Sequence, residues 1–264
     1  MSRDPVLWLV SYPKSGNTWF RFVLFHLQHG RMPESSRELD QQFNSKLPVK
    51  PGELFKKSHA TVAGLAEHRN AGDKVIYIVR HPLDVLQSSL NYDILNGDLR
   101  PEKAVKDAWV DAYIRTAGNP AWTGEPFNAG SWNENVRGWM DEAAEDVLVI
   151  RYEESLFNPV AGVRACAAFM EVPVTEEEIA ACVEATSFDR LRIFEEEEQA
   201  LARELKTPQG RFSSEARIAV AEQQGVRFFN KGQSGTYRDV LDTDQAARAW
   251  DAFADVAVSL GYTV

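Results

Sequence analysis

The sequence predicts an α/β fold in which helices flank a central parallel sheet in three layers. Two observations support this. Short apolar runs alternate with helical patterns along the chain, and the first run leads into a tight Pro/Gly turn that carries a lysine. Alternation of this kind implies parallel strands joined by right-handed crossovers. Ligands bind outside the carboxyl ends of such strands, so functional residues are expected where strands end.

The candidate strands are short apolar runs, and the longest of them is nearly continuous in β-branched residues. Such a run is typical of a strand that is buried on both faces. The four runs cover residues 6–10, 54–58, 74–79 and 146–150. Helical patterns occupy residues 17–29, 82–91 and 133–145. We therefore expect four strands with helices between them.

Basic and hydrogen-bonding side chains follow each candidate strand. The first strand leads to Lys14, the second to Lys57 and His59, the third to Arg80, and the fourth to Tyr152. Parallel strands end at one edge of a sheet, so these groups should converge. The turn after the first strand also opens a helix, whose free N–H groups and dipole favour anions. It lacks GxxxxGK[ST], so it predicts a phosphate-like ligand other than ATP.

Composition limits the classes of function. A chain of 264 residues, 44% apolar and 26% charged, fits one large globular domain over residues 1–264. The net charge of −10 argues against a nucleic-acid partner. No run approaches the roughly 20 apolar residues of a membrane span, and no signal-peptide pattern is present, so we expect a cytoplasmic protein without a membrane partner. Cys166 and Cys182 are expected to be buried, reduced thiols.

Several of these motifs resemble one known family. Residues 12–19, YPKSGNTW, resemble the 5′-phosphosulfate loop of the cytosolic-type sulfotransferases, which use 3′-phosphoadenosine 5′-phosphosulfate (PAPS). Residues 77–89 resemble their 3′-phosphate-binding strand–turn–helix, and Lys57-Ser58-His59 resembles their catalytic Lys-Thr-His segment. Weaker matches follow in the family order at residues 130–132, 151–154, 186–188 and 231–235. Residues 130–139 also resemble bacterial members that modify glycopeptide antibiotics.

The resemblance implies a P-loop-like three-layer fold, PAPS as donor and 3′-phosphoadenosine 5′-phosphate (PAP) as product. It implies that the 5′-phosphosulfate end lies against Lys14 and the backbone amides of Ser15, Gly16, Asn17 and Thr18. A lysine and a row of unpaired amides suit such an anion.

The 3′-phosphate end is expected against four other residues. The guanidinium of Arg80 forms a planar fork that matches a phosphate, and Ser88 can add a hydroxyl donor. By resemblance, Lys231 and Gly232 close over the same phosphate.

The adenine is expected in a pocket of aromatic and polar side chains. By resemblance, Trp19 and Phe188 sandwich the base, while Tyr152 and Thr186 hydrogen-bond its edge.

Catalysis is assigned to one base and two cations. A histidine ionises near neutral pH, so His59 is the expected base for the acceptor hydroxyl. Lys57 and Lys14 are expected to stabilise the charge that develops as the donor's bond breaks. The migrating group carries less charge than a phosphoryl group, so we expect no metal requirement.

The chain departs from the family pattern near its end. Asn230 stands where the family usually has arginine, which removes one cation from the 3′-phosphate site; Arg227 is a candidate substitute. The family's KxxxTVxxxE dimer segment has no match, so the sequence leaves the oligomeric state open.

The acceptor is expected to be a small hydroxylated molecule, such as a phenol, an alcohol or a natural product. In the family, variable segments build its pocket, here residues 91–130 and 190–226. The first segment holds aromatic residues that could line it: Tyr92, Trp109, Tyr113, Trp122 and Phe127. The second holds Glu195 to Glu198, which predict a solvated helix face or mobile lid.

Two alternatives remain open from the sequence. One is a P-loop nucleotide kinase, which would need ATP and Mg²⁺. The other is a non-catalytic nucleotide-binding protein, suggested by Asn230.

Overall fold

The computed structural model describes residues 4–46, 48–50, 52–124, 127–142 and 145–264. Parts of two predicted segments, at residues 125–126 and 143–144, therefore lie outside the described residues. Four parallel strands form one sheet in the order β2-β1-β3-β4. They are β1 (Leu7–Ser11), β2 (Phe55–Ser58), β3 (Lys74–Val79) and β4 (Val147–Arg151).

Helices fill the connections and cover both faces of the sheet. The first six are α1 (Asn17–His29), α2 (Ser36–Gln42), α3 (Val62–Ala66), α4 (Pro82–Leu95), α5 (Lys103–Arg115) and α6 (Trp132–Asp141). The others are α7 (Tyr152–Phe157), α8 (Pro159–Met170), α9 (Glu176–Ala185), α10 (Phe188–Leu205), α11 (Glu215–Gln224) and α12 (Thr243–Ser259). Short 3₁₀ turns lie at Pro120–Trp122 and Thr236–Asp239.

The central strands are buried because their side chains enter two separate cores. Successive residues of a strand point to opposite faces. Leu7 and Leu9 pack with α1, α8 and α9, whereas Trp8 and Val10 pack with α4, α6 and α12. The prediction of a parallel sheet between two helical layers is confirmed. None of the four described strands begins or ends more than one residue from its predicted limit.

Candidate active site

The carboxyl ends of all four strands open onto one cavity. Residues just beyond them, including Lys14, His59, Arg80 and Tyr152, line its wall together with Lys57 on β2. The structure thus brings together the basic groups that the sequence places at strand ends. Of the predicted 5′-end residues, Gly16, Asn17 and Thr18 also line this cavity, whereas Ser15 is fully buried behind it.

The turn between β1 and α1 has a backbone that favours close approach by an anion. Lys14 and Gly16 both have left-handed φ angles, of 70° and 106°. A side chain at Gly16 would place its Cβ 2.6 Å from the Tyr152 ring, so only glycine fits. The Asn17 amide donates back to the Leu9 carbonyl and to Ser11 Oγ, both at 3.3 Å. Asn17 therefore offers an incoming group its backbone N–H, as the amide cradle requires.

The Lys14 ammonium lies over aromatic rings. Its Nζ is 4.1 Å from the Tyr92 ring centroid and 4.5 Å from that of Phe228. Burial, with the charges of Arg217 and Arg211, lowers the pKa of Lys14 well below its usual value. The ring faces attract this cation without neutralising it. An anion entering the cavity would therefore meet a lysine that has no carboxylate partner among the described residues.

His59 is held in one tautomer by the backbone. Its Nδ1 lies 2.8 Å from the Ser11 carbonyl oxygen, which can only accept, so Nδ1 carries the proton and donates. Nε2 then has a free lone pair, as a general base requires. Burial and the charge of Lys57 lower the pKa of His59 to about 3. The imidazole is therefore neutral at physiological pH.

Lys57 shares a face with His59, two residues along the strand direction. Both side chains line the cavity, whereas Lys56 points the other way into an ion pair with Glu53 at 2.7 Å. Burial lowers the pKa of Lys57, and the charges of Arg21 and Arg211 lower it further. The Lys57 amine is thus desolvated beside the candidate base.

The predicted 3′-phosphate residues line a second, adjoining cavity. Arg80, Ser88, Lys231 and Gly232 all contribute to it, and Arg80 and Ser88 also line the first. Arg80 stacks on the Tyr152 ring, with its guanidinium carbon 4.4 Å from the centroid, and Nη1 donates to the Lys14 carbonyl at 3.0 Å. Its buried Nε has no hydrogen-bond partner among the described residues. A phosphate here would satisfy that nitrogen.

Two other cations of this second cavity, Lys231 and Arg227, are paired with carboxylates. Lys231 Nζ contacts Asp239 at 2.5 Å, and the proposed substitute Arg227, which also lines the cavity, contacts Glu196 at 3.0 Å. Whether Arg227 replaces the missing arginine stays a prediction.

Asp84 anchors the loop that carries Lys231 and Gly232, and the sequence interpretation overlooked it. This carboxylate, at the start of α4, is fully buried. It accepts hydrogen bonds from the Gly235 amide at 2.7 Å and from Ser234 Oγ at 3.1 Å. The loop is thereby tied to the helix that carries Ser88. The signal was an aspartate in the first helical turn after a histidine N-cap.

The expected adenine pocket is closed in this structure. The rings of Trp19 and Phe188 lie 6.2 Å apart at 65° to each other. A base between parallel rings needs about 7 Å, twice a van der Waals contact of about 3.5 Å. Binding between them would require Phe188, the first residue of α10, to move.

Tyr152 lines both cavities, whereas Thr186 lines neither. The Thr186 hydroxyl donates to the Cys182 carbonyl at 2.7 Å, and its own carbonyl accepts from Trp19 Nε1 at 3.0 Å. The structure thus places Thr186 behind Trp19. A direct contact between its hydroxyl and the base stays a prediction that this geometry does not support.

An aromatic wall stands beside His59. Tyr92, Trp122 and Phe127 line the first cavity as predicted, joined by Phe228, and the ring centroids of His59 and Phe127 are 6.4 Å apart.

Trp109 and Tyr113 do not line the first cavity. Both pack into the core with α12, and Trp109 Nε1 donates to Asp93 at 2.9 Å.

Two further arginines line this cavity, and the sequence interpretation missed both. Arg21 on α1 and Arg211 from the loop after α10 meet at one carboxylate, Asp40. An arginine within the apolar face of α1 was a signal for the first. Arg211 had no local signal, because its partner is 171 residues away in sequence.

The expectation that Glu195 to Glu198 form a solvated face is wrong for two of the four. Glu195 and Glu198 are 1% and 6% exposed. Glu195 accepts from the amides of Phe228 and Phe229, each at 3.0 Å. Glu198 accepts from the Phe212 amide at 2.9 Å. Backbone N–H groups compensate the burial of these carboxylates, so α10 holds the following loops in place.

Comparison with known proteins identifies the family of this chain. The family model described as "Sulfotransferase domain" matches residues 4–259. This chain belongs to the sulfotransferase family. Its fold, its reaction of sulfuryl transfer and its PAPS donor, predicted from the motifs, are confirmed by this membership, and the kinase alternative is not favoured.

Individual relatives are distant from this sulfotransferase but cover most of it. "Cytosolic sulfotransferase 11" of Arabidopsis thaliana is 26% identical, over 96% of this chain and 72% of the relative. "Sulfotransferase 1B1" of Mus musculus is 27% identical, over 70% of this chain and 64% of the relative. This chain therefore spans slightly less than two thirds of the mouse protein.

Solved structures confirm the fold. Mouse sulfotransferase SULT7A1 in complex with PAP superposes with a TM-score of 0.65, at 21% identity, over 97% of this chain and 86% of that one. Retinol dehydratase in complex with androsterone and PAP superposes with a TM-score of 0.66, at 17% identity, over 97% and 82%.

Within the described ranges, no group of three or more His, Cys, Asp or Glu side chains is placed to hold a metal ion. None of the described helices is both long and apolar enough to cross a bilayer. Cys166 and Cys182 are buried free thiols, as predicted.

Proposed function

We propose that this sulfotransferase moves the sulfuryl group of PAPS to a hydroxyl of a small aromatic molecule, with His59 as the base. The hydrogen bond from His59 Nδ1 to the Ser11 carbonyl carries the proposal, because it leaves Nε2 free to take a proton. The aromatic wall of Trp122, Phe127 and Phe228 suits a phenol or another ring-bearing alcohol.

The residues present fit the donor. Arg80 Nε, which has no partner among the described residues, the close approach permitted at Gly16, and the desolvated Lys14 side chain provide for two separate anionic ends. At Gly232, a Cβ would lie 2.4 Å from the Phe188 ring, so only glycine lets the backbone pack against this ring, which is expected beside the adenine. When bound, PAPS supplies the sulfuryl group and a phosphate leaving group.

The chemical step assigns one task to each side chain. His59 Nε2 accepts the hydroxyl proton while the acceptor oxygen bonds to sulfur. The bond from sulfur to the bridging oxygen breaks, and its electron pair stays on the 5′-phosphate of PAP. Lys14 and Lys57 stabilise the charge that builds on that phosphate. The products are the sulfate ester, PAP and a protonated His59.

His59→Ala provides the test. We expect sulfation of a phenol panel, followed by mass shift, to fall by a factor of about 100 to 10,000, because the base is lost. PAP affinity by calorimetry should change little. His29→Ala is the matched control, since His29 is an exposed residue bonded to Gln42. Normal turnover by His59→Ala would remove His59 from the mechanism. PAP binding by the unaltered protein without turnover of any acceptor would favour the non-catalytic alternative.

Other features of the protein are part of the same proposal. We propose one domain over residues 1–264, with 91–130 and 190–226 as the segments that define the acceptor. A small molecule is the proposed partner, with neither nucleic acid nor membrane, and the net charge of −10 supports this. The name of the Arabidopsis relative supports a cytoplasmic location.

A further inference from the structure

Arg21, Asp40 and Arg211 form a charged triad on the wall of the first cavity. Arg21 Nη1 contacts Asp40 Oδ1 at 2.5 Å. Arg211 Nη2 contacts the same oxygen at 2.8 Å, and Arg211 Nε contacts Oδ2 at 3.2 Å. Two guanidinium charges thus share one carboxylate, so the triad keeps one uncompensated positive charge at the cavity.

The position of Arg211 is fixed by its neighbours. Its backbone amide donates to Ser36 Oγ at 2.5 Å, and the next amide, that of Phe212, donates to buried Glu198. Its carbonyl accepts from Arg217 Nη1 at 2.6 Å. Gly210 permits this turn, because a Cβ there would lie 2.2 Å from Ser36 Oγ. The side chain is therefore presented by a loop held on both sides.

Part of the Arg211 fork remains available. A guanidinium has five N–H donors, and Asp40 accepts from Nε and one side of Nη2. Across the described ranges, Nη1 has no hydrogen-bond partner. Its side chain is 22% exposed, whereas that of Arg21 is 1% exposed. Arg211 is thus the member of the triad that a ligand can reach.

The charge of Arg211 acts at the transfer centre. It lowers the pKa values of Lys57, His59 and Lys14, so it lies near all three. Arg211 lines the first cavity but not the second, which holds the proposed 3′-phosphate residues. The anionic ends of the donor are already provided for by Lys14, the loop amides and Arg80. The free guanidinium donors are left for the acceptor.

We propose that the acceptor is an aromatic hydroxy acid, whose carboxylate binds Arg211 while its hydroxyl faces His59. The inference rests on the proposed sulfotransferase function and names the acceptor class. A carboxylate has two oxygens that match the planar guanidinium. The rings of Trp122, Phe127 and Phe228 lie in the same cavity and would hold the aromatic part. Asp40 and Arg21 position Arg211 and do not touch the ligand.

The test compares acids with their own methyl esters. The probes are 4-hydroxybenzoate and its homologues with one to three methylene groups before the carboxylate. Binding to the PAP-loaded enzyme is measured by calorimetry, and sulfation with PAPS by mass shift. We expect at least one acid to bind about tenfold or more tightly than its ester, as a charge-assisted hydrogen bond predicts.

Arg211→Gln should abolish this preference, and ester binding and PAP affinity should change much less than acid binding. Arg211→Lys should keep part of it, because the charge remains but the fork is lost. Arg203→Gln is the matched control, since Arg203 pairs with Glu222 at 2.9 Å away from both cavities.

Three results would overturn the inference. The first is equal binding of acids and esters at every chain length. The second is an acid preference that Arg211→Gln preserves. The third is a loss of PAP affinity in Arg211→Gln as large as its loss of acid affinity. The proposed function fails separately: acids that bind the PAP complex but are never sulfated would contradict catalysis and leave the acid site intact. Sulfation of the esters but not of the acids would support the proposed function and contradict the acid site.

Discussion

The proposed donor end and the proposed acceptor end of this active site are stabilised in different ways. At the proposed donor end, Lys14 and Arg80 lie on aromatic rings and a backbone carbonyl, with no carboxylate partner among the described residues, whereas Lys231 pairs with Asp239. At the acceptor end, Arg21 and Arg211 share Asp40, and Glu198 holds the Arg211 loop. The cations without carboxylate partners suit a highly charged donor. The two arginines at the other end share one carboxylate and keep one net positive charge. The difference indicates that the two ends recognise ligands of different charge.

The largest expected effect breaks the donor end. Arg80→Met should weaken PAP binding about 100-fold, because a charge-assisted fork to the 3′-phosphate is lost. Binding of AMP, which lacks that phosphate, should hardly change. Calorimetry with both nucleotides measures this, and Arg164→Met, on the exposed face of α8, is the control. A variant that still prefers PAP over AMP would place the 3′-phosphate elsewhere.

A smaller effect is expected from loosening the acceptor end. Glu198→Gln presents an NH₂ group to donors from Ser36 and Phe212, so it should cost about 1–3 kcal/mol of stability. The acceptor KM should rise several-fold, while PAP affinity stays constant. Thermal denaturation and steady-state kinetics measure the two effects. Glu197→Gln, at an exposed neighbouring position, is the control. Equal weakening of PAP and acceptor would show that the two ends are not separate.

The placement of the proposed donor-end residues could be predicted from the sequence, because these residues follow strands that form from local apolar runs. Lys14, His59 and Arg80 are each placed by their own strand and by the order of a parallel sheet. The charged part of the proposed acceptor end could not be predicted, because its contacts join distant segments, whereas its aromatic residues Tyr92, Trp122 and Phe127 could. Arg211 meets Asp40 across 171 residues, and Glu198 meets Ser36 across 162. The sequence predicted solvated side chains for Glu195 and Glu198, because the backbone N–H groups that bind them are brought close only by the tertiary fold.

The smallest expected effect concerns stability without ligand. Burial lowers the pKa of Lys14, so the folded protein holds this charge at a cost. Lys14→Met should therefore stabilise the ligand-free fold by about 1 kcal/mol at pH 7 while impairing transfer. The unfolded state binds this proton more tightly, so the gain should shrink as pH rises toward 10. Urea denaturation measures it, with exposed Lys103→Met as control. A lower free energy of unfolding for Lys14→Met than for the unaltered protein would contradict the claim that burying Lys14 destabilises the ligand-free fold.

The tautomer of His59 tests the central claim most directly, because both ends of the site act on the bond that faces Nε2. In ¹⁵N NMR of the free enzyme, assigned with His59→Ala, we predict a neutral ring protonated at Nδ1 throughout pH 5 to 8, since the pKa is about 3. A titration near the ordinary pKa of about 6.5, or a proton on Nε2, would contradict the account.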